Sequence, residues 1–596
     1  MLQEFTRRTT PATGAARLAA LRAAMAEAGV DAFLVPRADA HQGEYVAPRD
    51  ERLAWLTGFT GSAGQAVATR DRAAVFVDGR YRLQVRGQVD LEAFEVMRIP
   101  DDKPADWLIA ALPGGGRLGY DPWLHTRQEL DTLTEALAPR QITLAPVANL
   151  VDRVWPDQPP PPSRPIVAYP PELAGKSSAD KRTELARSLV ERDLAAAVLT
   201  LPDGIAWLLN VRGSDIARTP VPLAFAILHA DGHVELFADP SRAEAAFGPG
   251  VTLADPASFG PRLEALTGRV AVDRATAPAW VSDRIAAGAA QVAWERDPCI
   301  LPKATKTVAE IAGARAAHLR DGAAMAEFLC WLDLTAPEGG LTEIDVVRKL
   351  EQIRAATGQL HDISFETICG AGPDGAIVHY RVTDDSNRPV VPGELLLVDS
   401  GAQYLDGTTD ITRTVAVGSV PPEAIRPFTL VLKGLIAMSR LKWPAGLAGR
   451  DLDAAARVAL WRDGFDYDHG TGHGIGAYLS VHEGPQNLSR RGAEPILPGM
   501  MLSVEPGYYR EGAFGIRTEN LVVVRPPEIP PGGDREMLSF ETLTLAPIDR
   551  RLVDSSLLDP AERAWLDAYH ARVAETLTPA LDAETARWLA TACAPL

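Results

Sequence analysis

Cysteine is scarce in this chain of 596 residues, which contains only four. They stand at Cys299, Cys330, Cys369 and Cys593, widely spaced and without a Cys-x-x-Cys pair. Structural zinc sites usually bring cysteines close together in the sequence, so this spacing argues against one. We therefore expect four buried, reduced thiols.

Basic charge and long apolar runs are also in short supply. The chain has 60 Lys and Arg against 78 Asp and Glu, a formal net charge of -18, which disfavours nucleic acid as a partner. No run of eighteen apolar residues and no signal-like hydrophobic segment occurs, so we expect no membrane span and a cytoplasmic location. The length predicts three to four domains.

Two stretches of the N-terminal half repeat one pattern. The segment ARLAALRAAMAEAGVDAFLVPRAD, starting at Ala16, aligns with DKRTELARSLVERDLAAAVLTLPD, starting at Asp180. Further on, Trp55 matches Trp207. Each repeat predicts a helix, a strand, a second helix bearing the tryptophan, and further strands, so the chain is expected to begin with two α/β domains. The alternative is a coincidence between common helix and strand patterns.

Proline-rich and helical segments suggest where the domains end. The segment Pro156–Pro165, PDQPPPPSRP, predicts a stiff extended linker. A long helical pattern begins near Thr305, and Ala561–Leu577 and Ala583–Ala592 predict two helices at the C-terminal end. The expected domains are 1–155, 166–302, 303–530 and 531–596.

Two aspartates lie in ELLLVDSGAQYLDGTTDITRTVAVG, residues 394–418. An apolar run ends at Asp399, and a turn at Asp406-Gly407 precedes Asp410. This pattern predicts two strands folded back on each other, which would bring the two carboxylates close together. A single Asp at the end of a strand is more often a turn residue, so the two aspartates indicate a metal site only together with further ligand residues.

Histidines cluster further along the chain. His469 and His473 lie in HGTGHGIG, where four glycines in eight residues would let backbone and imidazoles approach an ion. His482 follows in VHEGP, and His379 closes the apolar segment Ala376–Val378. The alternative is a flexible glycine-rich loop with exposed histidines, but the clustering favours a site.

Two glutamates complete the set. Glu505 stands in MLSVEPG and Glu519 in GIRTEN, each beside apolar strand residues. A glutamate in such a position is costly to bury unless it is paired or metal-bound. A solvated face or an ion pair with Arg517 is the alternative.

Four carboxylates and one imidazole form a hard, oxygen-rich ligand set. Such a set suits two divalent cations side by side, because bridging carboxylates offset the repulsion between the ions. Mn²⁺ is the first expectation, with Co²⁺, Zn²⁺ or Fe²⁺ as alternatives.

Together these motifs resemble those of the pita-bread metallopeptidases. The order Asp399, Asp410, HGTGHGIG, VEPG and IRTEN is most similar to the large three-domain Xaa-Pro aminopeptidases. The resemblance implies an α/β (α+β) fold: two duplicated creatinase-N-like domains, a pita-bread catalytic domain, and a helical C-terminal extension packed on it. It also implies a homodimer. The two N-terminal domains contain no comparable carboxylate–histidine cluster in their sequence, so we expect them to serve substrate gating and assembly rather than chemistry.

The same resemblance implies a role for each site residue. The metal ligands would be Asp399, Asp410, His473, Glu505 and Glu519. The nucleophile would be a water activated by the two metals, with Glu505 as proton shuttle. His379 and His482 would stabilise the scissile carbonyl oxygen and, with His469, bind the substrate, a peptide with proline second, whose first residue is released.

Several alternatives share parts of this pattern. A prolidase, which cuts only Xaa-Pro dipeptides, would have the same five ligands, and a methionine aminopeptidase normally lacks two preceding domains. Non-catalytic pita-bread binding proteins and metal-free hydrolases of guanidino compounds lose metal ligands, whereas all five are present here.

Overall fold

The computed structural model describes residues 2–244 and 247–596. They form two compact units, one of residues 8–303 and one of residues 2–7 together with 304–596. The first unit contains both predicted α/β domains, and the second contains all the proposed site residues.

The first unit is built from two sheets of six strands each and a small sheet of two strands, Val167–Ala168 and Val211–Arg212. In spatial order the first sheet consists of Glu95–Arg98, Ala73–Val77, Gln65–Thr69, Ala32–Pro36, Gly116–Tyr120 and Ile142–Pro146. The second sheet consists of Val251–Ala254, Val234–Phe237, Phe225–His229, Ala196–Leu199, Arg269–Val272 and Gln291–Trp294. Both have the same succession of parallel and antiparallel neighbours. The predicted duplication is therefore confirmed.

Helices accompany both six-stranded sheets of this unit. They are Gly14–Ala28, Arg52–Thr57, Gln84–Gln88, Pro104–Ala111, Arg127–Leu137, Leu150–Val154, Pro171–Ala174, Ser178–Glu191, Pro202–Leu209, Phe259–Ala265, Ala279–Ala287 and Ile300–Ala304. Trp55 and Trp207 lie on equivalent short helices, as the repeat predicts. Every residue of Ala73–Val77 is buried, as expected for a strand covered on both faces.

The two halves of the first unit meet through equivalent segments, each made of a loop and the start of the helix that follows it. Thr126 and Pro278 form a β-bridge, and the rings of Trp123 and Trp280 stack with their centroids 3.8 Å apart. Each loop connects the strand in the fifth spatial position of its sheet to the next helix. The duplicated halves thus use corresponding segments to pack on each other.

The second unit combines short sheets with long helices. Its helices are Val308–Thr335, Glu343–Ala356, Pro422–Ser439, Gly449–Leu452, Ala454–Trp461, Pro560–Leu577 and Ala583–Ala592. Its strands are Asp362–Ile363, Ile368–Ala371, Leu395–Ser400, Ala402–Tyr404, Gly407–Thr408, Ile411–Ala416, Lys442–Trp443, Gly472–Gly474, Glu483–Leu488, Met501–Val504, Gly507–Arg510, Phe514–Arg517, Asn520–Val524 and Leu538–Thr542.

Local signals fix the ends of the helices in this unit. Thr307 and Glu310 form a capping box at the start of Val308–Thr335, because each side chain accepts a hydrogen bond from the other residue's backbone N–H. The two predicted C-terminal helices are also present, and Asp559 and Asp582 cap them.

Residues 2–7 pack with the second unit rather than with the repeat that follows them. The Gln3 side chain exchanges two hydrogen bonds with the backbone of Thr367, and Phe5 belongs to the hydrophobic core around Phe328. The four cysteines are buried, unpaired thiols, as expected. Among the helices of the described residues, none has the length and apolar character needed to cross a membrane.

One ion pair of this unit is completely buried. Lys306 donates a hydrogen bond to Glu483, and neither side chain has exposed surface. The Lys306 backbone N–H also donates to the Gly499 carbonyl at 3.0 Å. The pair therefore ties the segment before the long helix to the residue that follows His482.

Replacing Lys306 by Met should lower the free energy of unfolding by about 3–5 kcal/mol, because the Glu483 charge would be left buried without its partner. Urea unfolding of the purified protein measures this loss. Lys176→Met is the matched control, since Lys176 pairs with Glu184 at a solvent-exposed position and its loss should cost about 1 kcal/mol or less. Equal effects of the two substitutions would contradict the prediction.

Candidate metal centre

Asp399 and Asp410 lie at the same end of two neighbouring strands, as the sequence predicts. Leu395–Ser400 pairs antiparallel with Ile411–Ala416, and Asp399 faces Thr412 across the pair. Asp410 directly precedes the second strand, so both carboxylates lie at the same end of the hairpin. Both residues are buried.

His473 lies in the middle of the short strand Gly472–Gly474. A Cβ at Gly472 would lie 1.9 Å from the Ser503 carbonyl oxygen, and one at Gly474 would lie 2.2 Å from that of Glu483. Only glycine allows the neighbouring strands to approach this closely. Nδ1 of His473 lies 3.0 Å from the Gly474 carbonyl, so a proton assigned to Nδ1 would leave Nε2 free to face the carboxylates.

Glu505 and Glu519 lie next to strand ends, and their backbones are hydrogen-bonded. The Glu505 N–H donates to the Thr471 carbonyl at 2.7 Å, and the Glu519 N–H donates to the Thr412 carbonyl at 3.1 Å. Their side chains are held by hydroxyls: Ser503 donates to Glu505 at 3.2 Å, and Thr412 donates to Glu519 at 2.8 Å.

These residues converge in space. Asp410, His473 and Glu519 offer ligand atoms that all lie within 4.8 Å of one another. The His473 Nε2 atom lies 3.5 Å from Asp410 Oδ2 and 3.4 Å from Glu505 Oε1. The glutamates are therefore not on a solvated face.

Crowding of like charges perturbs the pKa values of the cluster. Burial raises the pKa of Asp410 to about 6, and the nearby Asp399 charge adds to this. Burial and the charges of Asp410 and Asp399 raise the pKa of Glu519 well above its usual value. Burial would lower the pKa of His473, but the carboxylates of Asp410 and Glu505 outweigh it and raise the value to about 9.

The donor set fits divalent cations. Oδ1 of Asp399 and Oε1 of Glu519 are buried and accept no hydrogen bond from a described residue. Buried carboxylate oxygens normally have a partner, and a cation bound between them would provide one. Carboxylate oxygens with a single imidazole suit hard to borderline metals such as Mn²⁺.

The other three predicted histidines lie around this cluster. The His482 ring packs edge-on against His473, with their centroids 4.2 Å apart. Nε2 of His469 lies 2.8 Å from the Tyr509 hydroxyl. His379 follows Val378, whose carbonyl accepts a hydrogen bond from Arg517. All three are half-buried, so a plain exposed loop does not describe them.

Comparisons with known proteins agree with this arrangement. Residues 312–526 match metallopeptidase family M24, and residues 536–596 match the C-terminal region of peptidase M24. Residues 17–154 and 157–310 each match a creatinase/prolidase N-terminal domain.

Relatives match nearly the whole chain. A probable Xaa-Pro aminopeptidase P of Coccidioides posadasii (strain C735) is 40% identical, covering 96% of this chain and 91% of the relative. One of Paracoccidioides brasiliensis (strain Pb03) is 38% identical, covering 96% and 98%. The crystal structure of X-prolyl aminopeptidase from Caenorhabditis elegans, described as a cytosolic enzyme with a di-nuclear active site, matches with a TM-score of 0.93 and 33% identity, covering 98% of this chain and all of that one.

The chain belongs to the Xaa-Pro aminopeptidase P family of M24 metallopeptidases. Its fold is the one that the motifs indicate, with two creatinase N-terminal domains, the M24 pita-bread domain and a C-terminal region.

The site of this family member also contains Arg517 and Tyr509, which sequence reasoning did not place there. Arg517 is buried and donates to Asp399 at 2.7 Å and to the Tyr509 hydroxyl at 2.6 Å. The sequence suggested Arg517 only as a partner for the glutamates. The available signal was an arginine inside the apolar strand Phe514–Arg517, just before Glu519.

Mn²⁺ affinity should rise with pH. The metal binds deprotonated ligands, so the protons held by Asp410 below pH about 6 and by His473 below about 9 must be displaced. Between pH 6 and 8 His473 still holds its proton, so its displacement should raise the affinity about tenfold per pH unit, whereas Asp410 adds to the slope only below pH about 6. Calorimetric titration of metal-stripped protein in two buffers of different ionisation enthalpy measures the Mn²⁺ affinity and the number of protons released on binding. His233→Ala, a histidine of the first unit, should leave the slope unchanged, whereas a flat affinity would contradict the prediction.

Proposed function

We propose that the chain is a metal-dependent aminopeptidase that hydrolyses the first peptide bond of peptides with proline in second position. The observation that carries the proposal is the convergence of Asp410, His473 and Glu519, with Glu505 and Asp399 beside them. Family membership over nearly the full length supports the same activity.

We propose that Asp399, Asp410, His473, Glu505 and Glu519 would hold two divalent cations. Mn²⁺ is the metal that this donor set favours first. Two such cations would lower the pKa of a bound water towards about 7 and so supply a nucleophile near neutral pH.

Glu505 is the proposed proton shuttle. Its Oε1 atom accepts a hydrogen bond from Ser503 and lies 3.4 Å from His473, and the residue is only half-buried, so substrate and solvent can reach it. The carboxylate would take a proton from the attacking water and deliver it to the proline nitrogen that leaves.

Three histidines would contact the substrate, two at the scissile carbonyl oxygen and one at the pocket for the proline ring. His379 and His482 would donate hydrogen bonds to the scissile carbonyl oxygen as its negative charge develops. The scissile nitrogen belongs to proline and has no N–H, so recognition of the ring must rest on shape and apolar contact. His469, which lies against the ring of Tyr509, is proposed to form part of that surface.

Substrate length decides between an aminopeptidase and a prolidase. Metal-stripped protein is assayed with restored Mn²⁺, Co²⁺ or Zn²⁺ on Arg-Pro-Pro, on a longer peptide beginning Xaa-Pro, on an Xaa-Pro dipeptide and on Met-Ala-Ser. We expect metal-dependent release of the first residue from the two longer Xaa-Pro peptides, most strongly with Mn²⁺. Cleavage of the dipeptide alone would make the chain a prolidase, and no cleavage with metal bound would point to a binding role.

Two substitutions test the assigned roles in the same assay. Glu505→Gln should lower kcat by about 10²- to 10⁴-fold, because the proton acceptor is lost while the shape is kept. His482→Ala should lower kcat by about 10²- to 10³-fold if it is a donor to the developing oxyanion. His233→Ala is the control, and thermal unfolding checks that each variant is folded. A loss below tenfold would remove the residue from its assigned role.

We further propose that the chain acts as a homodimer in the cytoplasm. The C. elegans enzyme is described as cytosolic, and the family resemblance prompts the dimer. Sedimentation equilibrium of the purified chain checks the dimer, which requires twice the mass of one 63.9 kDa chain.

A further inference from the structure

Arg413 is a buried guanidinium on the strand that follows Asp410. The residue is 1% exposed. Its hydrogen bonds go to the carbonyls of Thr412, Glu519, Ala546 and Pro547, to Oδ1 of Asn520 and to the hydroxyl of Tyr569, at 2.5–3.0 Å. Every one of these acceptors is neutral, although a buried cation is usually placed against a carboxylate.

These acceptors come from three separate parts of the second unit. Thr412 belongs to the hairpin of the two aspartates, and Glu519 and Asn520 belong to the segment that carries the last proposed ligand. Ala546, Pro547 and Tyr569 lie in residues 536–596, which match the C-terminal region of peptidase M24. Arg413 therefore joins this region to the proposed metal centre.

Glu519 is held at three points, and Arg413 provides one of them. Its N–H donates to the Thr412 carbonyl at 3.1 Å, and its side chain accepts from the Thr412 hydroxyl at 2.8 Å. Its carbonyl accepts from Arg413 Nη1 at 2.5 Å. The third point fixes the peptide plane between Glu519 and Asn520, just beyond the carboxylate.

The C-terminal region in turn fixes the guanidinium. Tyr569, on the helix Pro560–Leu577, accepts a hydrogen bond from Arg413 Nη2 at 3.0 Å and donates one to the Ala546 carbonyl at 2.9 Å. Ala546 also accepts directly from Arg413. Only arginine offers a rigid planar fork of five N–H donors, so lysine cannot make these contacts together.

We infer that Arg413 is a positioning residue through which the C-terminal region, residues 536–596, holds Glu519 in place and so raises the metal affinity of the centre. The inference rests on the proposed function, because it requires Glu519 to be a metal ligand. It gives the C-terminal region a part in the site although the region supplies no ligand. Outer contacts that orient a ligand commonly contribute 10- to 100-fold to metal affinity.

The test compares three variants of the full chain. Arg413→Lys keeps the charge and loses the fork, Tyr569→Phe removes one hydroxyl of the C-terminal region, and Val573→Ala creates a small cavity one turn further along the helix of Tyr569. Val573 is 0% exposed, and it is not one of the hydrogen-bond partners of Arg413 named above. Thermal unfolding of the metal-free proteins gives the stability cost of each variant.

Binding of Mn²⁺, Co²⁺ and Zn²⁺ to the metal-stripped proteins is measured by calorimetric titration, and amide hydrogen exchange is followed at residues 519–521. We expect Arg413→Lys to lower the Mn²⁺ affinity by about 10- to 100-fold. Tyr569→Phe should also lower the Mn²⁺ affinity, and it should speed amide hydrogen exchange at residues 519–521. Val573→Ala should keep the affinity within about twofold of wild type at a comparable loss of stability.

Three results would overturn the inference, and they are distinguishable. If wild type binds none of Mn²⁺, Co²⁺ and Zn²⁺, the proposed function fails and the inference with it. If wild type binds two ions and both Arg413→Lys and Tyr569→Phe bind them equally well, only the inference fails. If Val573→Ala loses as much affinity as Tyr569→Phe, the C-terminal region acts through overall stability, and the inference also fails.

Discussion

The repulsion among buried carboxylates is the constraint on which the rest of the second unit depends. Two unit charges about 4 Å apart near a protein surface repel by about 4 kcal/mol, and this cluster brings four carboxylates together. Part of the repulsion is relieved by Arg517, which pairs with Asp399, and part by protonation, since the pKa values of Asp410 and Glu519 are raised. Divalent cations would relieve the remainder, which explains how so unfavourable a charge arrangement can belong to a stable fold.

Such a cluster holds its shape only if its members stand on rigid backbone. Asp399 belongs to a six-residue antiparallel pairing that Asp410 directly precedes in the chain, and His473 lies where Gly472 and Gly474 let strands approach more closely than a Cβ permits. The backbone N–H groups of Glu505 and Glu519 each donate to a carbonyl of a neighbouring segment, not of their own strand. Sites built on strands in this way are more accurately positioned than sites on free loops.

Local sequence patterns predict the strands and most of the residues of the candidate site. They do not predict which side chains pair when the residues are far apart in the sequence. The hairpin, the glycine-flanked His473 and the strand-end glutamates are each encoded within a few residues, and the duplication shows in ordered landmarks such as Trp55 and Trp207. The pairing of Arg517 with Asp399 spans 118 residues, and that of Arg413 with Tyr569 spans 156. An arginine in an apolar strand shows that a buried partner is needed, but the partner is chosen by tertiary packing. Packing of residues 2–7 on the second unit has the same origin.

The two buried arginines have different roles: Arg517 contacts a carboxylate of the cluster, whereas Arg413 contacts the backbone carbonyl of Glu519. Arg517 donates to Oδ2 of Asp399 and so offsets part of that carboxylate's charge, while Oδ1 has no hydrogen-bond partner among the described residues. Arg413 donates to the carbonyl of Glu519 and Thr412 donates to its Oε2 atom, while Oε1 accepts no hydrogen bond from the part of the chain that the structure describes. In both Asp399 and Glu519, one carboxylate oxygen is fixed by a hydrogen bond and the other is available to a cation. A cation entering such a site finds oriented acceptors, and orientation of this kind adds to the affinity that the carboxylate charges provide.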